Sequence, residues 1–238
     1  MLFFYIRHAD PIYNPDSLTP LGERQAEALA KRLALFGLDK IYASTSNRAI
    51  QTAQPACELL KTGAELLDFC NEAHAFKEFS VMDDEGRRRW LFEDTGYRRL
   101  LASAQVRELG DEWYNHPELR GGKFRSGIER IRRESDKLLY TLGYEHIREE
   151  RIYRVIKPNN DRVALFAHAG FGVVFLSSIL DIPFPEFSIH FGMSHTGMTV
   201  IEFAENEGYA IPRVLVYSGD AHLYREGLPL SYNNRLRF

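Results

Sequence analysis

The sequence contains little cysteine, no long hydrophobic run and no strong excess of charge of one sign. Its two cysteines, Cys57 and Cys70, cannot form a disulfide framework and lack the spacing of metal ligands. The longest apolar stretch in the second half, residues 171–180, is about half the length of a membrane-spanning helix. The net charge of −3 gives no general attraction for nucleic acid or for an anionic membrane. Any anion binding must therefore be local.

The amino terminus also lacks the features of an export signal. The apolar run at residues 1–6 has no basic segment before it, and Arg7 ends it too early for a signal peptide. A chain of 238 residues with 45% hydrophobic content can form one α/β domain with an insertion. We therefore expect a single domain over residues 1–238, reduced thiols, a cytoplasmic location, and no nucleic-acid or membrane partner. The oligomeric state cannot be read from the sequence.

Apolar runs alternate with helical patterns in the first part of the chain and again after residue 162. This alternation predicts a mostly parallel sheet with right-handed crossovers. The predicted strands are residues 1–6, 40–43, 65–67, 162–166, 198–203 and 212–217. The predicted helices are residues 20–36, with Thr19 as N-cap, residues 47–60, and a helix that follows the loop at residues 168–170 and runs through Leu180. The chain after residue 218 is expected to be mostly tail.

The alternation stops between residues 68 and 157. This segment is rich in charge, and its most regular helical pattern lies at residues 128–142. Aromatic residues such as Trp90 and Trp113 give it enough apolar surface to pack as a cap. We therefore predict a three-layer α/β/α sandwich with a mostly parallel central sheet and a partly helical cap inserted at about residues 68–157.

Polar residues follow three of the predicted strands. They are Arg7 and His8, the stretch from Ser44 to Arg48, and His168. In a parallel sheet all three clusters project from the same edge, where ligand crevices form. Two arginines, two histidines and the start of a helix would make a strong pocket for a dianion.

In order and spacing, these clusters resemble the motifs of the histidine phosphatase superfamily, which includes the cofactor-dependent phosphoglycerate mutases. The matching stretches are residues 7–10 with Asn14, residues 18–26, residues 44–53 and residues 167–170. Departures from the family pattern are Ala9 and Ala169 in place of glycines, Thr45 in place of proline, and Asp10 where the family often has glutamate. Ordinary φ angles or small adjustments are then needed at the two alanines.

The resemblance implies a role for each matching residue. His8 is the nucleophile that becomes phosphohistidine, and Arg7, Arg48 and His168 hold the phosphoryl oxygens. Asn14 is a supporting phosphate contact. Because the arginines supply positive charge, the resemblance implies no metal and no cofactor.

The family also uses a glutamate that protonates the leaving oxygen and later activates water. Glu72 is the best match in this sequence, and Glu78 and His74 lie close enough to compete with it. His222 belongs to a stretch that resembles a carboxyl-terminal block of the family, and a structural role is expected for it.

The expected function is metal-independent hydrolysis of a small phosphorylated metabolite. One alternative is phosphoryl transfer of the phosphoglycerate mutase type, although residues 68–157 lack a recognisable mutase signature. Another is a non-catalytic protein that binds a phosphate ligand. A metal hydrolase built from His190 and His195 is disfavoured, because their spacing does not suit two ligands on one helix face and no carboxylate cluster accompanies them.

Overall fold

The computed structural model describes residues 1–230. Its strands are β1 (Leu2–Arg7), β2 (Pro11–Tyr13), β3 (Asp16–Leu18), β4 (Lys40–Ser44), β5 (Ala64–Leu67), β6 (Ser80–Met82), β7 (Arg88–Trp90), β8 (Tyr144–Ile147), β9 (Ile152–Val155), β10 (Arg162–Ala167), β11 (Met198–Glu202), β12 (Glu205–Asn206), β13 (Tyr209–Ala210) and β14 (Arg213–Gly219). Its α-helices are α1 (Pro20–Phe36), α2 (Asn47–Leu60), α3 (Glu72–Phe79), α4 (Thr95–Leu101), α5 (Ala104–Glu108), α6 (Phe124–Thr141), α7 (Ala169–Ile179), α8 (Phe184–His190) and α9 (Ala221–Arg225).

The central sheet has six strands in the order β14-β11-β1-β10-β4-β5. Strands β1, β10, β4 and β5 pair in parallel, and β11 pairs antiparallel with both β1 and β14. Only β11 therefore runs against the other five strands. The amino-terminal end of β11 consequently lies at the same sheet edge as the carboxyl-terminal ends of β1, β10 and β4.

The two faces of the sheet bury alternate residues of each strand. Phe4 and Ile6 of β1 face the core beneath α1 and α2, which includes Leu29 and Leu33. Phe3 and Tyr5 face the opposite core, which includes residues of α6 and α7 such as Phe175. This alternation follows from the two-residue period of a strand and gives the predicted three-layer α/β/α sandwich.

The predicted cap segment divides into two parts. Residues 68–115 form α3, the β6–β7 hairpin, α4 and α5, and Trp113 stacks on Phe184 of α8 with ring centroids 4.8 Å apart. The later part, α6, packs in the same core as β1 and α7, and β8 and β9 form a small sheet with β13 and β12. Much of the predicted insertion thus packs as part of the sandwich itself.

Two expectations about local structure need correction. The predicted loop at residues 168–170 is wrong, because His168 alone makes the turn and α7 begins at Ala169. The predicted tail contains α9, whose Leu223 packs against Ala28 and Leu228, so this part of the chain is structured. Residues 231–238 lie outside the described residues. Within residues 1–230, no helix has both the length and the apolar character needed to cross a membrane.

Candidate active site

The three polar clusters meet at one edge of the central sheet. Arg7 ends β1, Arg48 lies in the first turn of α2, and His168 follows β10. All are buried, and the rings of His8 and His168 stand 5.2 Å apart between centroids in an edge-to-face arrangement. The structure therefore brings together the groups expected to bind and attack a phosphoryl group.

His8 is held as a neutral imidazole with one free nitrogen. Its Nδ1 lies 2.8 Å from the carbonyl oxygen of Ala9, which can only accept, so the proton is on Nδ1. Burial lowers the pKa of His8 well below its ordinary value, and the neighbouring positive charge of Arg7 acts in the same direction. The Nε2 lone pair is therefore available at neutral pH, as a nucleophile requires.

His168 is fixed in the opposite tautomer. Nη2 of Arg48 donates to its Nδ1 over 3.2 Å, which leaves the proton on Nε2, 2.8 Å from Oγ of Ser44. The hydroxyl of Tyr5 donates to the carbonyl oxygen of His168 over 2.6 Å. Burial lowers the pKa of His168 well below its ordinary value, and the charges of Arg48 and Arg7 add to the effect.

Arg48 joins several elements of the site. Its Nη1 donates to Asp16 over 2.8 Å, and its Nη2 lies 3.2 Å from Oε2 of Glu72 as well as from His168. The Nε atoms of Arg48 and Arg7 are both buried without a hydrogen-bond partner among residues 1–230. Buried guanidinium donors of this kind suit an anionic ligand that shares them.

Of the three candidates for the acid, only Glu72 lies in this cluster. Its Oε1 accepts a hydrogen bond from the main-chain N–H of Gly170 over 2.9 Å, and its Oε2 is 3.6 Å from Nδ1 of His168. Glu78 instead forms a bidentate ion pair with Arg130, and His74 pairs with Asp68 on the surface.

Thr45 and Asn71 place Glu72 at the start of α3. Asn71 caps the helix by accepting from the N–H of Ala73, and its Nδ2 donates to Oγ1 of Thr45 over 2.9 Å. The hydroxyl of Thr45 in turn donates to Asp68. The threonine that replaces the family's proline therefore links the loop after β4 to the helix that carries Glu72.

Asn14 does not lie in the buried cluster. It is exposed in the turn between β2 and β3, so its role as a phosphate contact stays a prediction. Its neighbour Tyr13, which sequence reasoning did not single out, lies beside the site, with its ring centroid 5.4 Å from Cζ of Arg48. The β2–β3 hairpin thus offers an aromatic ring near the pocket.

His195, considered from the sequence only as a disfavoured metal ligand with His190, is a further residue of the site. Its Nε2 lies 2.8 Å from Nη2 of Arg7, and its ring centroid is 5.8 Å from that of His8. The sequence gives no signal for this role, because only the antiparallel direction of β11 brings the loop that carries His195 to this edge of the sheet. His222 supports this loop, since its Nε2 is 2.9 Å from Oγ1 of Thr196, which agrees with the structural role expected for it.

The alanines that replace two glycines of the family pattern fit the backbone without strain. Neither Ala9 nor Ala169 has a positive φ angle, as the sequence required. Two glycines that match the family pattern are needed for close packing instead. A Cβ on Gly22 would lie 2.2 Å from the carbonyl oxygen of Asp10, and a Cβ on Gly170 would lie 2.2 Å from the ring of Trp90.

Trp90 and Glu93, in the first part of the predicted cap (residues 68–115), lie beside the site. Trp90 packs on Gly170, and Glu93 lies close enough to Arg7 and Glu72 for their charges to interact. Glu93 also lines a cleft of about 550 Å³ together with Asp94 and other cap residues. Residues 90–94 therefore form one wall beside the cluster of Arg7, His8, Arg48 and His168.

His8, Glu72 and His168 present possible metal-binding atoms within 4.8 Å of one another. The surroundings do not suit a cation, because Arg48 donates to both Glu72 and His168 and the guanidinium of Arg7 is also close. A metal ion would have to displace Arg48 and remain beside two positive charges. The cluster is better suited to an anion.

Solved structures with this fold include several phosphatases. A mutant phosphoserine phosphatase from Entamoeba histolytica in complex with phosphoserine is 19% identical, with a TM-score of 0.59 over 93% of this chain and 98% of that chain. A mycobacterial glucosyl-3-phosphoglycerate phosphatase is 19% identical, with a TM-score of 0.58 over 91% and 98% of the two chains. The alpha-ribazole phosphatase from Shigella flexneri is 18% identical, with a TM-score of 0.58 over 92% and 97%.

Identities this low support the fold alone. No curated protein matches the chain in sequence. The model of a protein family, described as the histidine phosphatase superfamily (branch 1), matches residues 4–140. Because this match spans more than half of the sequence and includes Arg7, His8, Arg48 and Glu72, the chain belongs to the histidine phosphatase superfamily.

Proposed function

We propose that the protein is a metal-independent phosphomonoester hydrolase that acts on a small phosphorylated metabolite through a phosphohistidine on His8. The observation that carries this proposal is the free Nε2 of a neutral His8 beside two buried arginines. Family membership and the phosphatases among the structural neighbours support phosphatase activity in general.

In the first step, Nε2 of His8 attacks phosphorus and the bond from phosphorus to the leaving oxygen breaks. The leaving oxygen takes a proton from the carboxyl group of Glu72. The Nδ1–H of His8 stays hydrogen-bonded to the carbonyl oxygen of Ala9, which orients the ring and stabilises its developing positive charge. Arg7 and Arg48 offset the charge on the phosphoryl oxygens in the transition state.

In the second step, the carboxylate of Glu72 takes a proton from water as the water oxygen attacks phosphorus. The bond between phosphorus and Nε2 breaks, so inorganic phosphate is released and the neutral imidazole of His8 is restored. In the present tautomer, the Nε2–H of His168 is hydrogen-bonded to Oγ of Ser44. His168 can therefore donate to a phosphoryl oxygen only when Nδ1 is also protonated. A bound dianion favours that protonation, because it adds negative charge beside the imidazole.

The leaving group would lie towards Tyr13, Trp90 and Glu93, the residues that border the cluster. A useful substrate panel therefore includes phosphoserine, glucosyl-3-phosphoglycerate and alpha-ribazole phosphate, which the names of the neighbouring phosphatases suggest. Comparison across the panel would identify which leaving group this wall accepts.

The decisive experiment combines turnover with detection of the phosphoenzyme. Wild-type protein should hydrolyse p-nitrophenyl phosphate in the presence of EDTA, and alkaline quenching followed by mass spectrometry should find one phosphoryl group on His8. The H8A variant should lose both signals. The exposed His190 provides a matched control, and H190A should behave like wild type.

The same assay tests the two alternatives. Isomerisation of phosphoglycerate primed by a bisphosphorylated compound, in place of phosphate release, would indicate a mutase. Binding of inorganic phosphate without turnover on any ester in the panel would indicate a non-catalytic phosphate-binding protein. Either result would refute the proposed hydrolysis.

A further inference from the structure

The guanidinium of Arg7 is held by two acceptors from a single loop. Its Nη1 donates to the carbonyl oxygen of Met193, and its Nη2 lies 2.8 Å from Nε2 of His195. Both residues belong to residues 193–197, the loop that leads into β11. The loop thus contacts Arg7 directly and not only through the strand.

The hydrogen bond with Arg7 determines which tautomer His195 adopts. Arginine can only donate hydrogen bonds, so Nε2 of His195 must accept and the ring proton must lie on Nδ1. That nitrogen has no hydrogen-bond partner among residues 1–230, and the nearby carboxylate oxygen Oδ1 of Asp10 is 3.4 Å away. Oδ2 of Asp10 accepts from the hydroxyl of Thr19 over 2.7 Å, so the carboxylate is itself held in place.

The surroundings keep His195 neutral. Its side chain is buried, and burial together with the charge of Arg7 lowers the pKa of His195 to about 4, although Asp10 opposes the shift. His195 is therefore a neutral acceptor at physiological pH. A protonated ring in this place would face Arg7 with like charge.

The loop is also tied to the end of β1. The main-chain N–H of Arg7 donates to the carbonyl oxygen of Gly197 over 3.2 Å, and the N–H of Thr196 donates to the carbonyl oxygen of His8 over 3.3 Å. These bonds locate the backbone of β1 without orienting the Arg7 side chain. The guanidinium is oriented by its hydrogen bonds to the carbonyl oxygen of Met193 and to the imidazole of His195.

We infer that His195 is a positioning residue, whose neutral Nε2 orients the guanidinium of Arg7 for phosphoryl binding. The inference rests on the proposed function, in which Arg7 binds the phosphoryl group. Among residues 1–230 the guanidinium of Arg7 makes two hydrogen bonds, to the carbonyl oxygen of Met193 and to Nε2 of His195, so the contact with His195 is a principal restraint on its orientation. A displacement of about 1 Å at a catalytic group can cost about 100-fold in rate.

The test compares three variants in two measurements. H195L removes the acceptor and keeps an apolar side chain in the buried space. H195Q can place an amide oxygen near the position of Nε2. H190L is the control, because His190 is exposed at the end of α8. Affinity for inorganic phosphate is measured by calorimetry, and kcat and KM are measured with p-nitrophenyl phosphate.

We expect H195L to lose about 10- to 100-fold in phosphate affinity and in kcat/KM, with KM rising. H195Q should recover most of both quantities, and H190L should match wild type. Unchanged phosphate affinity in H195L would overturn the inference. Equal losses in H195L and H195Q would also overturn it, because the histidine would then serve only to shape the loop.

Two features of the design keep the result interpretable. If H195L does not fold, H195M replaces it, since the flexible methionine side chain adapts to irregular space. Phosphate affinity is measured independently of turnover. A protein that binds phosphate but hydrolyses nothing would therefore refute the proposed function, while the order of affinities would still decide the role of His195.

Discussion

The main-chain N–H of Gly170 donates a hydrogen bond to Oε1 of Glu72 over 2.9 Å. This bond joins the first turn of α7, in the sandwich, to the first turn of α3, in the cap. A carboxylate at the start of a helix is also stabilised by the unpaired N–H groups there. The proposed acid is thus held by both parts of the protein.

Replacement of Glu72 should affect poor leaving groups most. We expect E72Q to reduce kcat by about 100- to 10,000-fold for an alkyl phosphate, because the leaving alkoxide then lacks a proton donor. The loss should be smaller for p-nitrophenyl phosphate, whose leaving group needs less protonation. Steady-state kinetics with both esters would measure the difference.

The matched control for this prediction is E78Q. Glu78 has the same side chain and lies on the same helix, but it pairs with Arg130 away from His8. We expect E78Q to lower thermal stability and to retain the leaving-group dependence of wild type. A similar loss in both variants would contradict the assignment of the acid.

Replacement of Arg48 by lysine should not preserve activity. Its guanidinium contacts Asp16, Glu72 and His168 at once, and a single ammonium group cannot reproduce this geometry. We expect R48K to lower kcat/KM by about 100-fold or more. R148K, which changes an ion pair with Asp136 outside the site, should keep kcat/KM near wild type.

A buried histidine away from the site should make stability depend on pH. Burial alone would lower the pKa of His146, but hydrogen bonds to Asp136 and Asp181 outweigh it and raise the pKa above its ordinary value. A raised folded-state pKa means that protonated His146 stabilises the fold below about pH 6.5. This contribution is lost as the pH rises through the folded-state pKa.

The measurement is urea unfolding of wild type and H146L at pH 5.5 and pH 8.5. The difference in free energy of unfolding should be larger at the lower pH, by about 1–3 kcal/mol. Comparison with wild type cancels the opposite effect of His195 and His222, whose pKa values burial lowers to about 4. A difference that is larger at pH 8.5 would show that His146 is neutral in the folded protein.

Gly170 and Trp90 should be energetically coupled. An added Cβ at residue 170 would overlap the indole ring, so we expect G170A to lower the free energy of unfolding by about 1–3 kcal/mol. W90L leaves more room at this contact. G170A should therefore lower the free energy of unfolding by less in the W90L variant than in wild type. A double-mutant cycle by chemical unfolding would measure the coupling, and additive losses would contradict the close contact.

Much of the framework was predictable because its signals are local. The Thr19 hydroxyl accepts from the N–H of Gly22 as an N-cap should, and α1 and α2 have the predicted bounds of residues 20–36 and 47–60. His8, Arg48 and His168 were also predictable, since each follows a parallel strand of recognisable pattern. Their convergence follows from strand direction alone.

The remaining site residues depend on contacts between distant segments. His195 precedes a strand, and only the antiparallel direction of β11 brings the start of that strand to the edge where Arg7 and His8 lie. Asn14 and Tyr13 are neighbours in a short hairpin, where the register decides which of them approaches Arg48. No local pattern contains this information.

The position of β1 in the sheet has a consequence for protein synthesis. β1 carries Arg7 and His8, yet its two neighbours are β10 and β11, which end at residues 167 and 202. A growing chain therefore exposes His8 early but cannot pair the strand before it until residues 162–167 of β10 have left the ribosome. Such long-range pairing is slow to form. The candidate active site is thus among the last parts of the sheet to form, and chains that end before β10 should be inactive.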